Sequence, residues 1–261
     1  MSRATTNPNR AGGKISDKSV LVIQKKTEGG KQPGGGVREQ IPFVLDRLES
    51  AYGHESSPPG MYATGEPMDG LMLTLLSQNT NDRNRDMAYE SLRKKFPSWG
   101  DVARASVSDI ASAIKSAGLG DTKAARMKAI LSKAKDDFGV FSLAEMKELE
   151  ASRVREYLSN LHGIGPKTVA CVMVFDLGLP AFPVETHVAR ISRRLGWVPP
   201  KTTPERTQDF LESIVPPQRS GGGHMNMIEH GRRICHARSP KCVECPLNDI
   251  CPSNESKISR F

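Results

Sequence analysis

Seven consecutive residues, Val169-Ala170-Cys171-Val172-Met173-Val174-Phe175, are apolar, and they begin three positions after the proline of a turn that also holds two glycines. A helix through them has no polar face to give to water, so it is stable only inside a shell of other elements. The rest of the chain supplies that shell as helices. Ile41, Val44, Leu45 and Leu48 recur at helical spacing, and residues 71–76 read as a buried helix that ends in Ser77-Gln78-Asn79-Thr80. Residues 81–96 are amphipathic and stop at Pro97, and residues 124–138 and 152–160 are further helices. Ser106-Val107-Ser108-Asp109 and Ser142-Leu143-Ala144-Glu145 have the form of capping boxes. Thr203-Pro204 reads as an N-cap followed by an N1 proline, opening a helix to about Val215. No alternating strand pattern and no internal repeat stands out. The expected fold class is all-α.

The turn before the apolar helix carries the first hint of chemistry. In Leu161-His162-Gly163-Ile164-Gly165-Pro166, two glycines let backbone N–H groups point outward, and Pro166 fixes φ at the first turn of the next helix. That helix–hairpin–helix arrangement, about residues 152–177, can hold a phosphate oxygen with backbone N–H groups and a helix dipole alone. Glycines also serve tight αα turns for purely steric reasons.

Lys167 stands next in the chain. Partial burial and a helix N-terminus both disfavour its ammonium form, and a neutral amine is the nucleophile that forms a Schiff base at a sugar C1′. A snorkelling phosphate contact is the plainer reading. Glu185, in Val184-Glu185-Thr186-His187, opens the helix that ends at Gly196. Facing Lys167 across a cleft, its carboxylate could take a proton and stabilise an oxocarbenium-like transition state; otherwise Glu185 or Thr186 caps the helix.

Four of the five cysteines form Cys235-x6-Cys242-x2-Cys245-x5-Cys251. This clustering suits metal ligation in a reducing compartment better than a disulfide framework. Four thiolates hold either an iron–sulfur cluster or tetrahedral zinc, and zinc more often uses two separated C-x2-C pairs. Cys171 reads as a small core residue. The net charge is +8, and residues 1–40 hold eight Lys/Arg against three acids, so this segment is expected to be a disordered basic tail, in which residues 19–23 form the one short run able to order on a partner. A basic surplus favours a polyanion, nucleic acid above all. No run is long enough to span a bilayer, and no signal peptide is expected.

The turn Leu161–Thr168 followed by Val184-Glu185-Thr186-His187 resembles the core of the endonuclease III family of helix–hairpin–helix DNA glycosylases, and the resemblance covers residues 41–251. It implies a bifunctional enzyme of base excision repair, a DNA glycosylase and AP lyase that excises oxidised pyrimidines and nicks the abasic strand by β-elimination. In the family's pattern Lys167 is the nucleophile and Glu185 the essential carboxylate. Gln78, in Leu76-Ser77-Gln78-Asn79-Thr80, takes the place of the residue that fills the gap left by a flipped base, and Leu119, in Ala117-Gly118-Leu119-Gly120, that of the opposite-strand wedge. Gly163, Gly165, Thr168 and His187 are the further DNA-binding positions. The 6–2–5 cysteine spacing matches the family's iron–sulfur loop, so Cys235, Cys242, Cys245 and Cys251 are expected to hold a 4Fe-4S cluster beside the basic residues Arg232, Arg233, Arg238 and Lys241.

Three positions depart from the pattern. Glu185 stands where the family has Asp, His162 replaces a proline and Pro166 an arginine. A mismatch or uracil/thymine glycosylase, an enzyme reduced to AP lyase work, and a non-catalytic structure-specific DNA-binding protein are the rival readings. The expected architecture is two helical lobes around a DNA-binding cleft, residues 70–160 in one and residues 41–69 with 161–261 in the other. The expected partner is double-stranded DNA with a damaged base or abasic site, bound by a monomer. The expected location is the prokaryotic cytoplasm, or the nucleus or mitochondrion of a eukaryote.

Overall fold

The computed structural model describes residues 36–54 and 65–254. Residues 1–35 of the expected tail, with the run at 19–23, lie outside that range. Residues 37–40 do not belong to a tail, because the first helix, α1, spans Val37–Tyr52. It is followed by α2 (Pro67–Ser77), α3 (Asp82–Lys95), α4 (Trp99–Arg104), α5 (Val107–Ala113) and α6 (Gly120–Phe138). Then come α7 (Ala151–Ser159), α8 (Pro166–Cys171), a π-helical segment Val172–Asp176, α9 (Thr186–Arg194), α10 (Pro204–Glu212) and α11 (Pro217–Arg233). Among the described residues there is no strand, and no helix is long and apolar enough to cross a membrane.

Local chemistry accounts for most of the helix starts. Asn81, Ser98, Ser106 and Thr203 each accept a hydrogen bond from a backbone N–H of the helix that they open. The box expected at Ser142 does not form. Ser142 Oγ donates to Glu66 Oε2 at 2.6 Å, and only a short 3-10 turn, Ala144–Glu148, follows. Glu66, which caps α2 through Met68 N–H, has recruited the serine away from its own helix.

Two hydrophobic cores hold the described residues. One gathers α2 to α8, the π segment and the chain as far as Ala181; the other gathers α1, α9 to α11 and the cysteine loop. Met68 and the stretch from Leu161 to Ala181 therefore pack with the 70–160 region, and not in the lobe that the sequence assigned them to. The reason is the all-round apolar helix: Val172, Met173 and Phe175 are buried against α2 and α7.

Sequence periodicity does not reveal α11, because Gly221-Gly222-Gly223 is poor helix-forming material. Packing explains the glycines. A Cβ on Gly223 would stand 3.1 Å from Leu45 Cδ2 of α1, and one on Gly231 would stand 2.5 Å from His187 Nδ1 of α9. The cost in helix propensity is offset by the close approach of three helices.

Candidate active site

The N-termini of α8 and α9 and one face each of α2 and α11 enclose a cleft of about 210 Å³, whose lining includes Lys167, Cys171, Glu185, His187 and His224. The structure thus brings Lys167 and Glu185 together, as expected. Lys167 itself is exposed at the first turn of α8, so the burial anticipated for it does not hold. The apolar wall behind it belongs to the following residues only. Cys171 is a neutral thiol, its pKa pushed up to about 12 by burial, and acts as a wall residue.

Glu185 is the N-cap of α9. Its Oε1 accepts from His187 N–H at 2.7 Å and Val188 N–H at 2.9 Å, and Thr186 Oγ1 donates to Oε2 at 3.0 Å. Burial acts to raise its pKa, but the two backbone hydrogen bonds outweigh it, so the carboxyl stays below the usual range and ionised. The capping and cleft readings of Glu185 are both realised by one side chain. His187 is braced by Arg190, whose guanidinium lies 2.8 Å from Nδ1; since Arg only donates, Nδ1 accepts and the proton is on Nε2.

His224, on α11, did not stand out in the sequence. It is 3% exposed, its ring tilts against Phe175, and Nδ1 lies 2.8 Å from the Pro183 carbonyl. A carbonyl can only accept, so Nδ1 carries the proton and Nε2 presents a lone pair. Burial pushes its pKa down to about 4, which keeps the ring neutral at physiological pH. No periodicity flags it, because a single His behind three glycines looks like packing.

The hairpin between α7 and α8 holds Gly163 at φ +80, where a Cβ would come within 2.4 Å of Arg126 Nε. Gly165 is the N-cap of α8, which has no side-chain cap, so the first N–H groups of that helix are not spent on one. Thr168 is 5% exposed, so its side chain is not presented to DNA in the way the sequence reading expects.

Gln78 is tied to the hairpin: its Nε2 donates to Gly163 O at 3.2 Å, and Arg126 donates to its Oε1 at 3.1 Å. Leu119 has φ 51 and is 58% exposed at the tip of its loop, an apolar side chain held out to solvent. The residue that joins the two loops is Lys123. It is 1% exposed, and its ammonium donates to the carbonyls of Leu76 (2.8 Å), Gln78 (2.8 Å) and Ala117 (2.9 Å). Three donors meet three acceptors in a buried staple. Lys123 lies in the first turn of α6, four residues after Leu119, and no role was read for it from the sequence.

The four cysteines line a single cavity between α9, the end of α11 and the C-terminal loop. Leu247 N–H points to Cys245 Sγ at 3.4 Å, and Arg194 donates to Cys235 Sγ at 3.2 Å. Donors of this kind stabilise metal-bound thiolates, so the residues present fit an iron–sulfur group.

The model of the HhH-GPD superfamily of base excision DNA repair proteins matches residues 72–217, more than half of the chain. The iron–sulfur binding domain of endonuclease III matches residues 235–251. The chain belongs to the endonuclease III-like HhH-GPD family. Endonuclease III of Thermotoga maritima is 34% identical over 193 residues, covering 74% of this chain and 86% of that protein. An Arabidopsis thaliana protein provisionally named a DNA glycosylase is 38% identical over 190 residues; the match covers 69% of this chain and 64% of that protein. Among solved structures, a trapped covalent intermediate of endonuclease III with DNA superposes with a TM-score of 0.71 at 26% identity, over 85% of this chain and 98% of that one. This member of the family is thus an endonuclease III-like base excision repair DNA glycosylase with an iron–sulfur binding loop.

Proposed function

We propose that the protein is a bifunctional DNA glycosylase and AP lyase that removes oxidised pyrimidines from double-stranded DNA and then nicks the abasic strand. The observation that carries this reading is the convergence of Lys167 and Glu185 in one cleft, each at the N-terminus of its own helix.

In this reading the uncapped N-terminus of α8, with the backbone at Gly163 and Gly165, holds a DNA phosphate, and the target nucleotide turns out of the stack into the cleft. Gln78 and Leu119 occupy the space that it leaves. Glu185, ionised by its own helix, stabilises positive charge developing at C1′ as the glycosidic bond lengthens. Lys167 attacks C1′ as a neutral amine. The base leaves with the bonding electrons and takes up a proton, and the amine loses one. The sugar ring then opens: the C1′–O4′ bond breaks, O4′ takes up a proton, and the nitrogen becomes an iminium that makes the C2′ hydrogen acidic; loss of that proton expels the 3′ phosphate by β-elimination. His187 is a further DNA contact beside Glu185.

Cys235, Cys242, Cys245 and Cys251 would hold a 4Fe-4S cluster, which supplies four fixed attachment points for the loop carrying Arg238 and Lys241 toward phosphates, beside Arg232 and Arg233 at the end of α11.

The test is borohydride trapping on duplexes bearing an oxidised pyrimidine or an abasic site. Wild type is expected to form a covalent adduct with both, and Lys167→Gln with neither. An adduct of undiminished yield in Lys167→Gln would sink the assignment.

A further inference from the structure

The mechanism above makes no use of His224. It is almost completely buried, yet it lines the cleft that holds Lys167 and Glu185. Its tautomer is fixed from behind by the Pro183 carbonyl, and no hydrogen bond to Nε2 is present among the described residues. As an acceptor on the cleft wall that takes no donor from the described residues, it is open to a donor from outside the chain. Its surroundings say where that donor sits. Phe175 packs tilted against the ring, and Met225 and Ile228 flank it on α11, so this is an apolar wall of the kind that a heterocyclic ring packs against.

We infer that the Nε2 lone pair of His224 accepts the ring N–H of the flipped base. The site then selects bases whose ring nitrogen bears a hydrogen between two carbonyls, as in thymine- and uracil-derived rings, over bases that present a lone pair there. This inference rests on the reading of the cleft as the pocket for a flipped base. The discrimination is one of polarity. Facing an intact cytosine edge, the ring would set lone pair against lone pair, and a neutral imidazole with its one proton committed to Pro183 cannot reverse its polarity. Sites that leave a buried polar group unpaired reject the wrong substrate far better than sites that merely lose apolar contact.

The experiment compares single-turnover excision of 5,6-dihydrothymine and its N3-methyl analogue from otherwise identical duplexes, in wild type, His224→Leu and His224→Gln. The rate ratio is taken within one preparation, so any loss of folded protein cancels. Wild type is expected to prefer the N3–H base by about tenfold or more. In His224→Leu, which keeps the bulk and loses the acceptor, the ratio is expected to fall to about one. In His224→Gln, whose side-chain carbonyl can accept, a preference should persist. A wild-type ratio near one, or an undiminished ratio in His224→Leu, overturns the inference. So does a wild-type protein that nicks a pre-formed abasic site but excises neither base, an outcome that leaves the lyase reading standing. Failure of wild type to nick the abasic site as well would bring down the proposed function, and this inference with it.

Discussion

Glu185 shows how one side chain serves fold and chemistry together. A glutamate at an N-cap has a methylene more than the aspartate of the family pattern, and here that length is used: one oxygen satisfies two backbone N–H groups of α9 while the other faces Thr186. The cap fixes the carboxylate in place, and the helix N-terminus keeps it charged. Glu185→Asp can still cap, but it withdraws the charge from the cleft by about one bond length. Displacements of about 1 Å cost up to a hundredfold in rate. The variant is therefore expected to melt within a few degrees of wild type and to excise base roughly ten- to a hundredfold more slowly, as read by single-turnover kinetics. Lys123 carries the complementary argument for positioning. Lys123→Met keeps most of the volume but leaves the carbonyls of Leu76, Gln78 and Ala117 without their donor. The expected loss is about 3 kcal/mol or more in chemical denaturation. Weaker binding to an abasic-site duplex should accompany it, because the loops bearing Gln78 and Leu119 are no longer joined.

At the scale of elements, the π segment is the feature that sets the cleft wall. It carries Phe175 beneath His224 and turns Asp176 onto α2, where a Cβ on Gly70 would fall 1.9 Å from the carboxylate. Burial raises the Asp176 pKa from 3.8 to about 7, helped by Asp69 on α2 and opposed by Lys147. The folded protein thus keeps a proton there that the unfolded chain releases near pH 4. Between those values the folded state binds more protons, so stability falls as pH rises from about 4 through 7. Asp176→Asn is expected to melt higher than wild type at pH 8 and close to it at pH 4; equal shifts at both pH values would refute the account. None of this was legible in the sequence. Seven apolar residues announced a buried helix but not its π winding, and nothing in the sequence singled out Asp176. What was legible had strong local causes: the Ser106 and Thr203 caps, the Pro166 start, and the opening of α9 at Glu185. Ser142 and α11 were misread or missed because their state is decided at long range, by Glu66 in one case and by Leu45 and His187 in the other.

For the whole molecule, the question is how a loop at residues 235–251 bears on a cleft formed by α2, α8, α9 and α11. The coupling runs along α9. Its N-terminus carries Glu185 and His187. Arg190 holds His187 Nδ1 at 2.8 Å and also donates to Cys235 O at 2.9 Å and Gly231 O at 3.2 Å. One turn on, Arg194 donates to Cys235 Sγ and to the carbonyls of His236 and Ala237. The second core continues the connection: Leu247 and three of the cysteines pack on the same cluster as Val188, Ile191 and Leu195. An iron–sulfur group on the four sulfurs would therefore brace α9 from its C-terminal side, while the core built from α2 to α8 has no direct dependence on it. Removing one ligand separates the two. Cys251→Ser is expected to lose the visible absorbance of the cluster and to unfold in two steps, the core of α1 and α9 to α11 melting first and the α2–α8 core near the wild-type temperature. Base excision should fall in step with the first transition, because the carboxylate of Glu185 is only as well placed as the helix that carries it. A single cooperative transition at the wild-type temperature in the iron-free variant would show that α9 is held by its apolar packing alone, and that the cysteine loop serves DNA contact without supporting the cleft.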